Sequence, residues 1–219
     1  KYKKTEEVGA LLKKFDALSV RDANSGTIVE QLTGKEPVYN LDPVLTYDYM
    51  NCCDKIPQVQ TNEKYLILYA YAGRISNEEA DWIAAYAKKK NLKVYAIGGI
   101  QKCADRFVDC SPFEVLAYFR NAEEVITDTF HGSIFSVITH RPFATLIRKS
   151  VGNSYGNEEK LSDLLERLDL ADRMTAKVED AENINEYLAV GGYQALRKVL
   201  FTMEPSEVIQ VISDSNLRG

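Results

Sequence analysis

The clearest feature of the chain is an unbroken apolar run, Tyr65-Leu66-Ile67-Leu68-Tyr69-Ala70-Tyr71. A strand without polar alternation is one covered on both faces, so this run predicts an inner strand of a parallel sheet. Lys93–Ile97, Glu124–Thr127 and 143–147 are shorter apolar runs that predict further strands. Between them the period changes from strand-like to helical. Ser76 and Glu79 form a capping box opening a helix to about Lys90, with Ala80, Ile83, Ala84 and Ala87 on one face. Ser111-Pro112 opens another helix, with Ser at the cap and Pro at the first position, and Phe113, Leu116, Ala117 and Phe119 form its apolar face. Residues 133–139 and 160–170 read as two more helices. Toward the N-terminus, Val8, Leu11, Leu12 and Phe15 predict an amphipathic helix over 5–15. A short apolar run then ends at Arg21-Asp22, and a helix is predicted from a Ser25 cap to Leu32, closed by Gly34. A strand over 38–41 stops at Asp42-Pro43, and residues 51–63 are polar and turn-like.

Strands alternating with helices of this length predict βαβ units, hence an α/β protein with a Rossmann-like parallel sheet. Such sheets bind ligands outside the carboxyl ends of their strands. The sequence places Arg21, Asp22, Asp42, Arg74, Asp128, Thr129, His131, Arg148 and Lys149 there. Cations gathered at one rim suit a small anion bearing phosphate or carboxylate groups. The segment Thr127-Asp128-Thr129-Phe130-His131-Gly132-Ser133 is the most specific part of this rim. It leads from a buried strand into a helix, where free backbone N–H groups collect. Gly132 would let a ligand approach the backbone, Ser133 could donate to an anion, and His131 can carry charge or move a proton near neutrality. The competing reading is that Asp128 or Thr129 merely caps the helix and His131 is a surface residue. Charged residues also end strands simply because the chain meets solvent there.

Composition narrows the field. Hydrophobic residues make up 45% and charged residues 27% of the 219 residues, which excludes a disordered chain. The formal net charge is −5, so bulk electrostatics give no reason to expect nucleic acid as a partner. No apolar stretch is long enough for a membrane span, and no signal-peptide core follows the basic first residues, which predicts a cytoplasmic protein. The four cysteines match neither a disulfide framework nor a zinc spacing and read as reduced thiols, and with only His131 and His140 beside them no metal site is expected. There is no Walker loop, no complete Gly-x-Gly-x-x-Gly fingerprint and no Gly-x-Ser-x-Gly elbow. A chain that starts at Lys1 without Met and stops at Gly219 reads as a fragment.

Three segments in order resemble the polysaccharide pyruvyl transferase family over roughly residues 1–175. They are Ser19-Val20-Arg21-Asp22 with Ser25 downstream, Leu41-Asp42-Pro43, and 127–136 followed by Arg141-Pro142-Phe143. One departure is Thr129, where the family more often has serine in a Ser-Phe-His-Gly motif; the hydroxyl is kept. The resemblance implies a two-domain architecture like that of the GT-B glycosyltransferases. Residues 1–178 would then be the donor-side domain, the C-terminal half of such a transferase. It implies phosphoenolpyruvate as the anionic donor and a pair of sugar hydroxyls on a cell-surface glycan as acceptor, giving a pyruvate ketal and free phosphate without a cofactor. The family's functional positions carry over onto Arg21, His131 and Lys149. Arg21 and Lys149 would bind phosphate or carboxylate, with Thr129, Gly132, Ser133 and Arg148 completing the donor site. His131 would hold the phosphate or protonate the departing group, and Asp22 or Asp128 would orient His131 or act as base. The alternative is a GT-B-type nucleotide-sugar glycosyltransferase or epimerase, which would need a carboxylate placed to hold a ribose.

The far end has a different character. Residues 181–200, then Met203-Glu204-Pro205-Ser206-Glu207-Val208-Ile209, then Asn216-Leu217-Arg218-Gly219, resemble the segment before the nucleotide loop of the NADH-binding flavoprotein subunit of respiratory complex I and related hydrogenases. Residues 179–219 are therefore expected to form a helical tail of separate origin, lacking the flavin loop and iron–sulfur cysteines of that subunit. Such a tail could serve as a docking module of an electron-transfer protein.

Overall fold

The apolar run at residue 65 becomes β3 (Tyr65–Tyr69), an inner strand of a six-stranded parallel sheet in a computed structural model that describes residues 4–149 and 157–184. The other strands are β4 (Lys93–Ile97), β5 (Arg106–Phe107), β6 (Glu124–Thr127), β7 (Phe143–Leu146) and β8 (Met174–Thr175), in the spatial order β5-β4-β3-β6-β7-β8. In chain order this is 3-2-1-4-5-6, the doubly wound arrangement whose strand order reverses between β3 and β6. The α/β reading with a Rossmann-like parallel sheet is correct. Leu66 and Leu68 lie in the core on one face of the sheet, with Ile83 and Ala87; Tyr65 and Ile67 lie in the core on the other, with Phe119 and Leu165. Each β3 side chain from Tyr65 to Leu68 is buried because helices cover both faces.

The covering helices are α4 (Asn77–Lys89), α5 (Pro112–Asn121), α6 (Phe130–Ile138) and α7 (Glu158–Arg167). The expected capping box of Ser76 with Glu79 is present, and Ser111, expected as a cap before Pro112, forms a second box with Glu114. The short edge strands β5 and β8 were not predicted, since a two-residue strand carries too little pattern to show a period. Helix α6 begins at Phe130, three residues before the sequence pattern suggests, because the cap is Thr129.

Before the main sheet lies a smaller parallel unit. Helix α1 (Thr5–Leu12) leads to β1 (Ser19–Val20), α2 (Ala23–Thr33) and β2 (Val38–Tyr39), with β1 paired to β2 alone; the short α3 (Tyr49–Cys52) follows. The rim read from sequence as one is thus formed by two sheets. Asp22, not Ser25, caps α2: its carboxylate accepts from the Ser25 backbone N–H at 2.8 Å and from the Ser25 hydroxyl at 2.9 Å. Gly34 closes α2 in the left-handed conformation, as its position suggests. Arg167 of α7 ties this unit to the main sheet by donating to the backbone carbonyls of Arg21 (3.0 Å) and Asn40 (3.4 Å). No helix among the described residues is long and apolar enough to cross a membrane. The expected helical tail lies, from residue 185 onward, outside the described residues.

Candidate active site

Two cavities share Lys149 and Glu158 in their walls. The larger, about 1130 Å³, lies between the small unit and α7, lined by Arg21, Asp22, Ser25, Lys149, Glu158 and Lys160 among others. Arg21 leaves the end of β1 and meets Asp42, which leaves the end of β2. Asp42 is buried, caps the turn after it by accepting from Val44 N–H at 3.1 Å, and takes an ion pair from the Arg21 guanidinium. The same guanidinium lies over the Phe130 ring, 4.9 Å from its centroid, while Lys160 Nζ lies 4.0 Å from that centroid. Two cations on one aromatic ring repel each other, and the Asp42 carboxylate paired with Arg21 offsets part of that repulsion.

His131, in the first turn of α6, is half-buried and sits edge-on to Phe130 at 5.7 Å between centroids. It is not itself a lining residue of the large cavity. Burial lowers its pKa below the ordinary histidine value, the nearby Arg21 and Lys160 charges lower it further, and Asp42 opposes them. The Lys160 ammonium is likewise pushed down, chiefly by burial and then by Arg21, against Asp22 and Asp42. The carboxylate whose charge bears on His131 is therefore Asp42, rather than Asp22 or Asp128 as the sequence suggested. Asp22 is occupied at the α2 cap and Asp128 belongs to the second cavity.

The start of α6 is a lattice of small hydroxyls. Thr127 Oγ1 donates to the Tyr69 carbonyl at 2.7 Å and lies 3.0 Å from Thr129 Oγ1, which accepts from Gly132 N–H at 2.9 Å. Ser133 Oγ lies 3.2 Å from the Thr129 carbonyl, to which it can donate, and 2.9 Å from Thr145 Oγ1. All of these hydroxyls are buried. Thr129 and Ser133 thus hold α6 against β6 and β7 instead of facing a ligand. Gly132 is required for a different reason from the one inferred: a Cβ there would stand 2.1 Å from Thr127 Oγ1 and 2.7 Å from Thr129 Oγ1. The structure thus adopts the capping alternative for this segment, while leaving His131 beside the cations.

The smaller cavity, about 710 Å³, opens where the strand order reverses and is lined by Gly73, Arg74, Glu79, Asp128, Arg148 and neighbours. Asp128 is fully buried at the end of β6, and its closest cation is Arg74, at 3.9 Å. Burial raises the Asp128 pKa even though Arg74 and Arg148 pull it down. Arg148 pairs with Glu79, and Lys149, largely exposed, lies 3.5 Å from Glu158. Asn157 clamps the strand ends here: its amide donates to the carbonyls of Asp128 (2.8 Å) and Leu146 (3.1 Å), and its oxygen accepts from Arg148 N–H at 2.6 Å.

The sequence reading missed Lys160, Phe130 and Asn157 as parts of the site. Lys160 carried a signal: it is a cation in the first turn of α7, after Glu158 and Glu159, where the helix dipole disfavours positive charge.

The chain is thus an α/β protein in which Arg21 and Lys160 line one cavity and the half-buried His131 stands beside them. The chain belongs to the polysaccharide pyruvyl transferase family, whose sequence model matches residues 2–150. Short stretches also match curated proteins of another kind. One, 42 residues long, is 45% identical to an NADH-quinone oxidoreductase subunit of Rhizobium meliloti (strain 1021), covering 19% of this chain and 10% of that protein. Another, of 40 residues, is 50% identical to the NADP-reducing hydrogenase subunit HndC of Solidesulfovibrio fructosivorans, covering 18% of this chain and 8% of that protein. The chain thus spans a tenth or less of the curated relatives it matches. Among solved structures it is similar to a Thermobaculum terrenum O-GlcNAc transferase mutant, with TM-score 0.43 and 13% identity over 93% of this chain and 45% of that one. It is also similar to the E. coli heptosyltransferase WaaC with ADP-2-deoxy-2-fluoro heptose, with TM-score 0.35 and 11% identity over 65% of this chain and 52% of that one. With likenesses this distant, the assignment rests on the family match.

Proposed function

We propose that this chain is the donor-side part of a pyruvyl transferase in a two-domain, GT-B-like protein, working in the cytoplasm on a cell-surface glycan or its precursor. Phosphoenolpyruvate is the donor, and an adjacent pair of sugar hydroxyls is the acceptor. The observation that carries this reading is the convergence of Arg21 and Lys160 on the Phe130 ring, beside His131, in a chain of this family. Phosphoenolpyruvate carries a phosphate and a carboxylate close together, and a site with a fixed guanidinium, an ammonium and a third cation, Lys149, answers that charge. Asp42 and Phe130 fix the Arg21 fork before the donor arrives, so less rotamer freedom is lost on binding.

In the reaction, one acceptor hydroxyl bonds to the carbon that carries the phosphate while the methylene carbon gains a proton. The carbon–oxygen bond to phosphate then breaks, and the second hydroxyl closes the ketal. Of the two hydroxyl protons released, one ends on the new methyl group and one on phosphate. Burial and then its cationic neighbours lower the His131 pKa in the free protein, against Asp42, and so favour the neutral imidazole. A bound dianion offsets Arg21 and Lys160 and raises the His131 pKa, so the imidazole can take up a proton and pass it to the departing phosphate. No cofactor enters this scheme. The test is the release of phosphate from phosphoenolpyruvate by the intact transferase with a glycan acceptor, followed by phosphorus NMR. Arg21→Ala and His131→Ala are expected to slow release by about a hundredfold or more, and full transfer by either variant contradicts the scheme.

A further inference from the structure

The cavity at the strand-order reversal takes no part in the donor scheme, yet it is unfinished in a way the donor site is not. Asp128 is wholly buried and neither carboxylate oxygen accepts a hydrogen bond; Arg74, at 3.9 Å, is beyond hydrogen-bond reach. Arg148 gives one nitrogen to Glu79, while its Nε and Nη2 are buried without an acceptor. Folded proteins seldom leave buried polar atoms open, and here open acceptors and open donors line the same space. A phosphate would suit Arg148 but would face Asp128 and Glu79. A metal ion or ammonium would suit Asp128 but would face Arg74 and Arg148. A hydroxyl group donates and accepts at once, and it brings no charge.

We propose that this cavity is a sugar subsite, in which adjacent hydroxyls of a neutral glycosyl unit donate to Asp128 and an oxygen of the same unit accepts from Arg148 Nε and Nη2. Its position where the strand order reverses is where open α/β sheets take ligands. Lys149 and Glu158 line both cavities, so a sugar held here stands next to the donor site. The proposal rests on the glycan-modifying reading for the source of the sugar, but its test needs no phosphoenolpyruvate.

The test titrates the isotopically labelled protein with methyl β-D-galactopyranoside, methyl β-D-mannopyranoside and uridine in turn, following amide shifts, and repeats it for Asp128→Asn and Arg148→Lys. At least one glycoside is expected to bind saturably, shifting amides near Gly73 and Asp128. Asp128→Asn should weaken it about tenfold or more, since a site built around hydroxyls loses its match when one acceptor is changed. Phosphoenolpyruvate binding should stay unchanged in Asp128→Asn. If phosphoenolpyruvate fails to bind while a glycoside does, the donor reading fails alone. The melting temperature gives a second readout: a carboxylate kept open for a ligand predicts that Asp128→Asn melts at the same temperature or higher. Overturning results are no binding by either glycoside, binding that survives Asp128→Asn, preference for uridine over both glycosides, or a lower melting temperature for Asp128→Asn.

Discussion

The two cavities that share Lys149 and Glu158 are built in opposite ways. At the larger one, Arg21 is held by Asp42 and Phe130. At the smaller one, Asp128 and Arg148 keep polar atoms buried and open. A pocket for an anion is best assembled in advance, because its charges must not move when the donor binds. A pocket for hydroxyls can be left incomplete, because a hydroxyl can donate to the open acceptor and accept from the open donor. The difference teaches that net charge alone does not tell the two apart; the satisfaction of each polar atom does.

The largest expected effect is on Arg21. Arg21→Ala should lower phosphoenolpyruvate-dependent transfer by about a hundredfold or more, the usual cost of removing one preorganised charge-stabilising donor. It also leaves Asp42 buried without its ion pair. Because Arg21 itself is partly exposed, the stability loss should be only about 1–2 kcal/mol by chemical denaturation. Gly132→Ala tests how closely the start of α6 packs on β6. Its new methyl group meets the Thr127 and Thr129 hydroxyls, so the protein should lose about 1–3 kcal/mol of stability.

Lys160→Met comes next. It keeps the length of the side chain and removes the charge, and should weaken phosphoenolpyruvate binding by about tenfold in calorimetry, as expected for one charged hydrogen bond. An unchanged affinity would remove Lys160 from the donor site and leave it as packing on Phe130.

The smallest effect is on pH dependence. The folded protein holds the His131 proton less tightly than the unfolded chain does. The folded state then binds fewer protons as pH falls through about 6.5, so stability should drop on acidification through that range. Affinity for phosphoenolpyruvate should move the other way, rising on acidification, because the bound dianion favours protonated His131. His131→Gln should flatten both profiles.

Much of the fold was legible because its signals are local. The run at β3, the capping box at Ser76, the Ser111-Pro112 helix start and the Gly34 stop each depend on a few adjacent residues. The strand order was not legible, because it is a matter of which distant strands pair. The rim residues were legible for the same reason as the strands: a polar group just past an apolar run stands at a strand end. Their grouping was not. Thr129 and Ser133 looked like ligand donors until burial showed them bonded to nearby backbone and to Thr145. Asp128 looked like a partner of His131 and Arg148 like part of the donor site, yet they face Arg74 and Glu79 across the strand-order reversal. Lys160 comes from a helix more than a hundred residues from Arg21 in sequence, and only the docking of α7 through Arg167 brings them to one ring.

The most direct measurement is thermal stabilisation of this chain by phosphoenolpyruvate against UDP, GDP and NADH, for the parent protein and for Arg21→Ala. A ligand at a hundred times its Kd stabilises the folded state by about 2.7 kcal/mol, which a melting curve resolves readily. The account predicts that phosphoenolpyruvate alone raises the melting temperature and that Arg21→Ala removes the rise. Stabilisation by a nucleotide but not by phosphoenolpyruvate, or a phosphoenolpyruvate effect undiminished in Arg21→Ala, would contradict it.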